Sequence, residues 1–205
     1  MIRDIFVILL FLTFFAGPAH AQPAGQVLIN SADWLDVYSG IMYANLEGMP
    51  YNFAISEPQA RALMQYMDKD MDIHLIESQS MPYIADYKGT LENSGFKVKD
   101  EITSPGGKTL NLKLAGELDL SKFIVVDDIY GYNALSAASY AIKSRSWVLF
   151  ADRTNINDVY GFLKGRKVEK VMIYGRVDNV VNQTLSEFNP EIINEDNRKC
   201  VYVLT

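Results

Sequence analysis

Three carboxylates have the placement that acid–base or metal chemistry would use. Asp127 and Asp128 follow the apolar run Phe123-Ile124-Val125-Val126, and Asp152 follows a second run, Trp147 to Ala151. Two parallel strands that end in Asp bring their carboxylates to one sheet edge, where open α/β sheets bind ligands. Strand-end Asp serves turns and helix N-caps more often, and Asp152 reads first as the cap of the helix after it. His74, the one histidine beyond residue 21, lies inside Ile73-His74-Leu75-Ile76 and reads as a strand residue with a local hydrogen-bond partner. A Ser-His-Asp triad or a histidine-rich zinc site is therefore poorly supported. Gly106-Gly107-Lys108 is read as lacking the strand before it and the helix after it that a nucleotide loop requires. No cofactor and no metal are expected.

The aromatic residues point to binding. Trp34, Tyr38, Tyr130 and Tyr132 lie in or beside two loops that also carry Asp33, Asp36, Asp127, Asp128 and Asn133. Ring faces that stack on sugar C–H patches, beside carboxylates and amides that take hydroxyls, make a carbohydrate site. An equal alternative is that these rings pack between two halves of the protein.

The elements that position these residues occur twice. Phe123 to Val126 reads as a strand buried on both faces, followed by a polar aromatic turn and a small-residue helix, half of a βαβ unit. Shifted back by 97 positions, Val27-Leu28-Ile29-Asn30 meets Ile124 to Asp127, and Ser39, Tyr43 and Ala44 meet Ser136, Tyr140 and Ala141 as identities. After a one-residue shift Tyr51 to Ser56 meets Trp147 to Asp152, and then Ile73 to Ile76 meets Val171 to Tyr174. Phe96-Lys97-Val98 and Glu191-Ile192-Ile193 close the copies. This is an internal duplication: a first copy over 22–98 and a second over 121–198. Residues 99–120 read as a β linker or hairpin, from Pro105-Gly106-Gly107 and the alternation of Leu110, Leu112 and Leu114. Helix signals are Gly48 and Pro50 after a helix over 36–46, Ser56 and Pro58 at the start of the next, and Gly165 after a helix over 156–163. Residues 199–205 read as a short strand or a truncation point.

A net charge of −6 argues against a nucleic-acid partner, which would need clustered Lys and Arg. Arg3, the apolar run Ile5 to Phe15, Gly17-Pro18 and Ala19-His20-Ala21 together form a signal peptide over 1–21, which predicts a secreted protein. Cys200 is the only cysteine, so an intrachain disulfide is excluded and the core must hold the fold. Asn182-Gln183-Thr184 is a glycosylation sequon, which would bar its helix from an interface.

Tyr132 to Ala138 (YNALSAA) resembles the strand-to-helix motif of the cell-wall-binding repeat 2 family. Trp147 to Ala151 is similar to that family's Pro-Ile-Leu-Leu-Thr strand, and Ile173 to Val177 to its Ile-x-Gly-Gly strand end. Ser146 replaces the proline, Arg176 the second glycine, and Glu77-Ser78 stands where the first copy would carry both glycines. The resemblance implies two tandem Rossmann-like or Toprim-like α/β modules with mostly parallel sheets, on an exported envelope or cell-surface protein. It implies non-covalent anchoring to envelope polymers, in bacteria commonly with three modules packed together. By position the anchoring strand falls on Val148, Leu149 and Phe150. The expectation is therefore a non-catalytic module that binds a cell-envelope polysaccharide or a surface-layer protein, with a homo-oligomer or packing with further repeats in view. The rivals are a structural surface-layer subunit and a carboxylate-based envelope hydrolase.

Overall fold

The computed structural model describes residues 25–129 and 131–193. The leader over 1–21, Tyr130, Cys200 and the segment 199–205 lie outside the described residues. Two four-stranded parallel sheets alternate with seven helices, two Rossmann-like α/β modules. The first contains β1 (Gln26–Asn30), α1 (Trp34–Glu47), β2 (Tyr51–Phe53), α2 (Glu57–Leu63), β3 (Ile73–Ser78), α3 (Tyr87–Asn93) and β4 (Val98–Ser104), followed by α4 (Lys108–Glu117). The second contains β5 (Lys122–Val126), α5 (Tyr132–Ser144), β6 (Trp147–Phe150), α6 (Ile156–Lys164), β7 (Lys170–Tyr174), α7 (Asn179–Thr184) and β8 (Glu191–Ile193). The strand orders, β2-β1-β3-β4 and β6-β5-β7-β8, are the same arrangement twice.

Local chemistry sets the helix ends. Asp33 caps α1 by accepting from the Leu35 N–H, and Gly48, at φ 69°, closes it in the left-handed conformation that glycine takes at least cost. Ser56 caps α2 with Pro58 in its first turn, as its sequence predicts. Alternate residues of the first sheet feed different cores. Leu28, Ile73 and Leu75 pack with α2 and α3, while Val27, Ile29 and Ile76 join a larger core that continues without a break into the second module.

Four readings of the sequence are corrected. The segment 99–120 is not a β linker: its first part completes β4 and its leucines lie on α4, which buries Leu110, Asn111, Leu114 and Ala115. The first copy therefore closes with β4 and not at Val98, and Ile102, not Val98, is the counterpart of Ile193. No shift separates the first two strands of the copies. The Ala54 N–H donates to the Ile29 carbonyl as the Ala151 N–H does to Val126, so Tyr51 matches Val148 at the same 97-residue offset. Asp152 does not cap α6; Asn155 precedes that helix, accepting from the Asp152 N–H and donating to the Phe150 carbonyl.

The modules are fused. The Tyr38 hydroxyl donates to the Ala134 carbonyl at 2.8 Å, and Trp34 and Tyr38 each meet the Phe150 ring edge-on at 5.5 Å. Asn111, buried on α4, donates to both the Ser39 hydroxyl (2.9 Å) and the Val148 carbonyl (3.0 Å), which covers the outer edge of β6. Arg166 reaches back to the Gly116 and Leu118 carbonyls at the end of α4. Among the described residues no helix is long and apolar enough to cross a membrane.

Candidate functional site

The carboxyl ends of β1, β3, β4, β5 and β6 come together around the loop Pro105-Gly106-Gly107 and the first residue of α4, Lys108. This glycine loop does stand between a strand and a helix. The Gly107 N–H donates to Asp36 Oδ1 at 2.5 Å, and the Ser31 hydroxyl donates to Asp36 Oδ2 at 2.6 Å. Asp36 is fully buried on α1, and its carboxylate lies at the positive end of α4. Burial pushes its pKa above the ordinary carboxylate value, against the pull of the Ser31 and Gly107 hydrogen bonds. Gly106 is required at its position: at φ 103°, a Cβ there would sit 2.7 Å from the Ser78 hydroxyl.

Lys108 carries the charge of this junction across to the second module. Its ammonium is 2.7 Å from Asp152 Oδ2 and 3.0 Å from Asp128 Oδ2, with all three side chains largely shielded. Burial alone would lower the lysine pKa, but the two carboxylates hold it above its usual value. Burial likewise works to raise Asp152, yet hydrogen bonds from Lys108 and Thr154 hold it down to about 2. Asp127 points elsewhere and accepts from the Ile129 N–H; burial first, then Asp128 and Asp178, raise its pKa.

The sequence candidates thus divide. Asp128 and Asp152 converge on Lys108, and Asp33 and Asp36 serve the starts of α1 and α4. Trp34 is partly exposed and its six-membered ring lies against Gly131. Tyr132 stands exposed at the start of α5, while the Asn133 amide, at the repeat position of Asp36, lies directly against Gly175. Val148, Leu149 and Phe150 are wholly buried in the core shared by the modules, so their side chains cannot touch a polymer directly. Asn182 is half-buried on α7, with its Oδ1 enclosed and unpartnered among the described residues. His74 has its local partner, Asp100, at 2.8 Å from Nδ1. Among the described residues no three His, Cys, Asp or Glu side chains gather as a metal site would require.

Sequence reasoning missed Lys108, Asn111 and an apolar groove of about 420 Å³ lined by Trp34, Tyr38, Phe53, Ile55, Tyr83 and Leu135, among others. The available signal for the groove was Phe53, a large ring on a strand of only three residues, followed by Ile55. No protein-family model matches the chain, and no curated protein matches it.

Proposed function

We propose that this chain is a non-catalytic binding module of the cell envelope, exported by its leader, that attaches to a surface polysaccharide. The observation that carries the reading is the aromatic pair at the carboxyl edge of the fused sheets. Trp34 and Tyr132 present exposed ring surface beside Asp33 and Asn133, a combination suited to sugar C–H faces and hydroxyls. The strand-end carboxylates support the non-catalytic part. Asp128 and Asp152 are engaged by Lys108 between the modules, and a carboxylate held at about 2 is a poor general base near neutral pH. The family resemblance supplies the envelope setting and the tandem arrangement.

A hydrolase reading keeps one observation in its favour, the raised pKa of Asp127 beside the lowered one of Asp152. Co-sedimentation of the full chain with envelope fractions, with and without their protein layer, separates the alternatives. Retention on protein-free polysaccharide, weakened at least tenfold in Trp34→Ala and Tyr132→Ala, is the expected result. Retention only with the protein layer present would point instead to a structural subunit. Polymer turnover that disappears in Asp127→Asn would overturn the non-catalytic assignment.

A further inference from the structure

The groove beside Trp34 restricts which polysaccharide the proposed site can take. Ile41, Phe53, Ile55 and Leu135 line it, with Trp34 and Tyr83 partly exposed along it. The two buried hydroxyls of its lining are already engaged. Tyr38 donates to the Ala134 carbonyl, and Ser31 donates to Asp36 while accepting from the Asp33 N–H. Neither has a proton left to donate, so a hydroxyl or carboxylate lodged against them would lose water without finding a donor. A methyl group would lose nothing and would bury apolar surface.

The charge around the groove is one-sided. The loops that follow the strands at this edge carry Asp33, Asp86, Asp127, Asp128, Asp152 and Asp178 against Arg153 and Arg176. Arg153 is bound to Asp178, and Lys108 is engaged by Asp128 and Asp152. Asp33 and Asp127 accept from the backbone N–H groups of Leu35 and Ile129, and neither has a cation partner among the described residues. Their two loops meet where the Trp34 ring lies against Gly131, itself part of the groove. A cation placed there would also relieve the repulsion that Asp128 and Asp178 exert on Asp127.

One class of sugar meets both restrictions. An N-acetylated amino sugar carries a methyl group for the groove, and the same unit without its acetyl group carries an ammonium for the carboxylates. We infer, resting on the polysaccharide reading, that the ligand is a partly de-N-acetylated hexosamine polymer. Its acetamido methyls enter the groove beside Trp34, and its ammonium groups meet Asp33 and Asp127. Polymers that bear uronic acids or phosphates are repelled by the same carboxylates.

Three soluble probes test this on the full chain, by calorimetry and by tryptophan emission. They are a fully acetylated chitin oligomer, a partly deacetylated chitosan oligomer of the same length, and polygalacturonate, in buffer acid enough to charge the chitosan amines. Trp34 is partly exposed and Trp147 buried, so a change in emission on binding reports on the groove. At low salt the chitosan oligomer is expected to bind about tenfold more tightly than the chitin oligomer, and polygalacturonate not at all. High salt should abolish that advantage. Asp33→Asn combined with Asp127→Asn should abolish it too, while the chitin oligomer stays bound. Asparagine caps a helix as aspartate does, and Asn30 already stands at the position of Asp127 in the first module. Leu135→Asn, at a side chain 69% exposed, is expected to weaken both hexosamine oligomers alike. Four results would each overturn the inference: polygalacturonate bound as tightly as chitosan, an advantage that survives salt or the paired substitution, indifference to Leu135→Asn, or no binding of either hexosamine oligomer. Retention on protein-free polysaccharide in the co-sedimentation experiment then decides separately whether the polysaccharide reading falls as well.

Discussion

The ammonium of Lys108, the first residue of a helix in one module, lies 2.7 Å from the Asp152 carboxylate at the end of a strand in the other. Asp128 completes the bridge at 3.0 Å. Removing the cation leaves two carboxylates facing one another in a partly shielded place. Lys108→Met, which keeps most of the stem, is expected to cost about 1–3 kcal/mol, between the values for exposed and buried pairs. Urea unfolding measures the loss. Carboxyl NMR should show Asp152 climbing from about 2 toward or above the ordinary value.

The same site predicts opposite pH responses from two aspartates. The folded pKa of Asp152 is depressed, from 3.8 to about 2, so its contribution is fully present above pH 4 and is lost as pH falls through 2. The amount is about 2 kcal/mol. Asp36 has a raised folded pKa, so its ionisation opposes folding as pH climbs from 3.8 to beyond that raised value. Asp36→Asn should therefore gain on wild type as pH rises above 3.8, while Lys108→Met should flatten the profile below pH 4. Stability measured across pH for the two variants separates the contributions. The second module already carries an asparagine, Asn133, at the position of Asp36.

Much of the architecture was legible from residue types, because buried parallel strands need unbroken apolar runs and helix ends need particular caps. Leu28, Val125 and Ile173 are wholly buried in the apolar runs of β1, β5 and β7, and Gly48, Ser56 and Gly165 stop or start the helices the sequence predicts. β4 was cut short because it is an edge strand whose Lys99, Asp100 and Glu101 face solvent, so it needs no apolar run. α4 was hidden by Leu110, Leu112 and Leu114, whose spacing also fits a strand; the helical stripe is Leu110, Asn111, Leu114 and Ala115, and its second member is polar. With β4 and α4 misread, the glycine loop between them lost its context. The pairing of Lys108 with Asp128 and Asp152 has no sequence signature, since it arises only when the modules dock.

Gly106 and Gly48 both have positive φ, but only Gly106 is also crowded. A Cβ at 106 would meet the Ser78 hydroxyl at 2.7 Å and the Asp36 carboxylate at 3.0 Å, whereas one at 48 would meet nothing within 4 Å. Gly48→Ala should cost about 1 kcal/mol, the left-handed penalty alone. Gly106→Ala should cost more, about 2–3 kcal/mol, because the loop must withdraw from Asp36. Chemical denaturation of the two variants gives the difference, and equal losses would mean that the loop is not held against α1 as described.

Asn111 is the polar residue on which the joint between the modules turns. Its Nδ2 donates to Ser39 on α1 and to the Val148 carbonyl on β6, so one buried amide binds three elements from both modules. Asn111→Leu keeps the volume but leaves the carbonyl and the hydroxyl without that donor, at an expected cost of about 2–4 kcal/mol. Asn111→Asp should cost more, since a carboxylate oxygen would then face the Val148 carbonyl oxygen. Ser39→Ala removes only one of the two acceptors and should cost about 1 kcal/mol. If the amide couples the modules, Asn111→Leu will also speed amide exchange along β6 well before global unfolding, while exchange in β3, held between β1 and β4 in the first sheet, stays near wild type. Uniform acceleration through both modules would show that Asn111 adds to general stability without governing how the modules are joined.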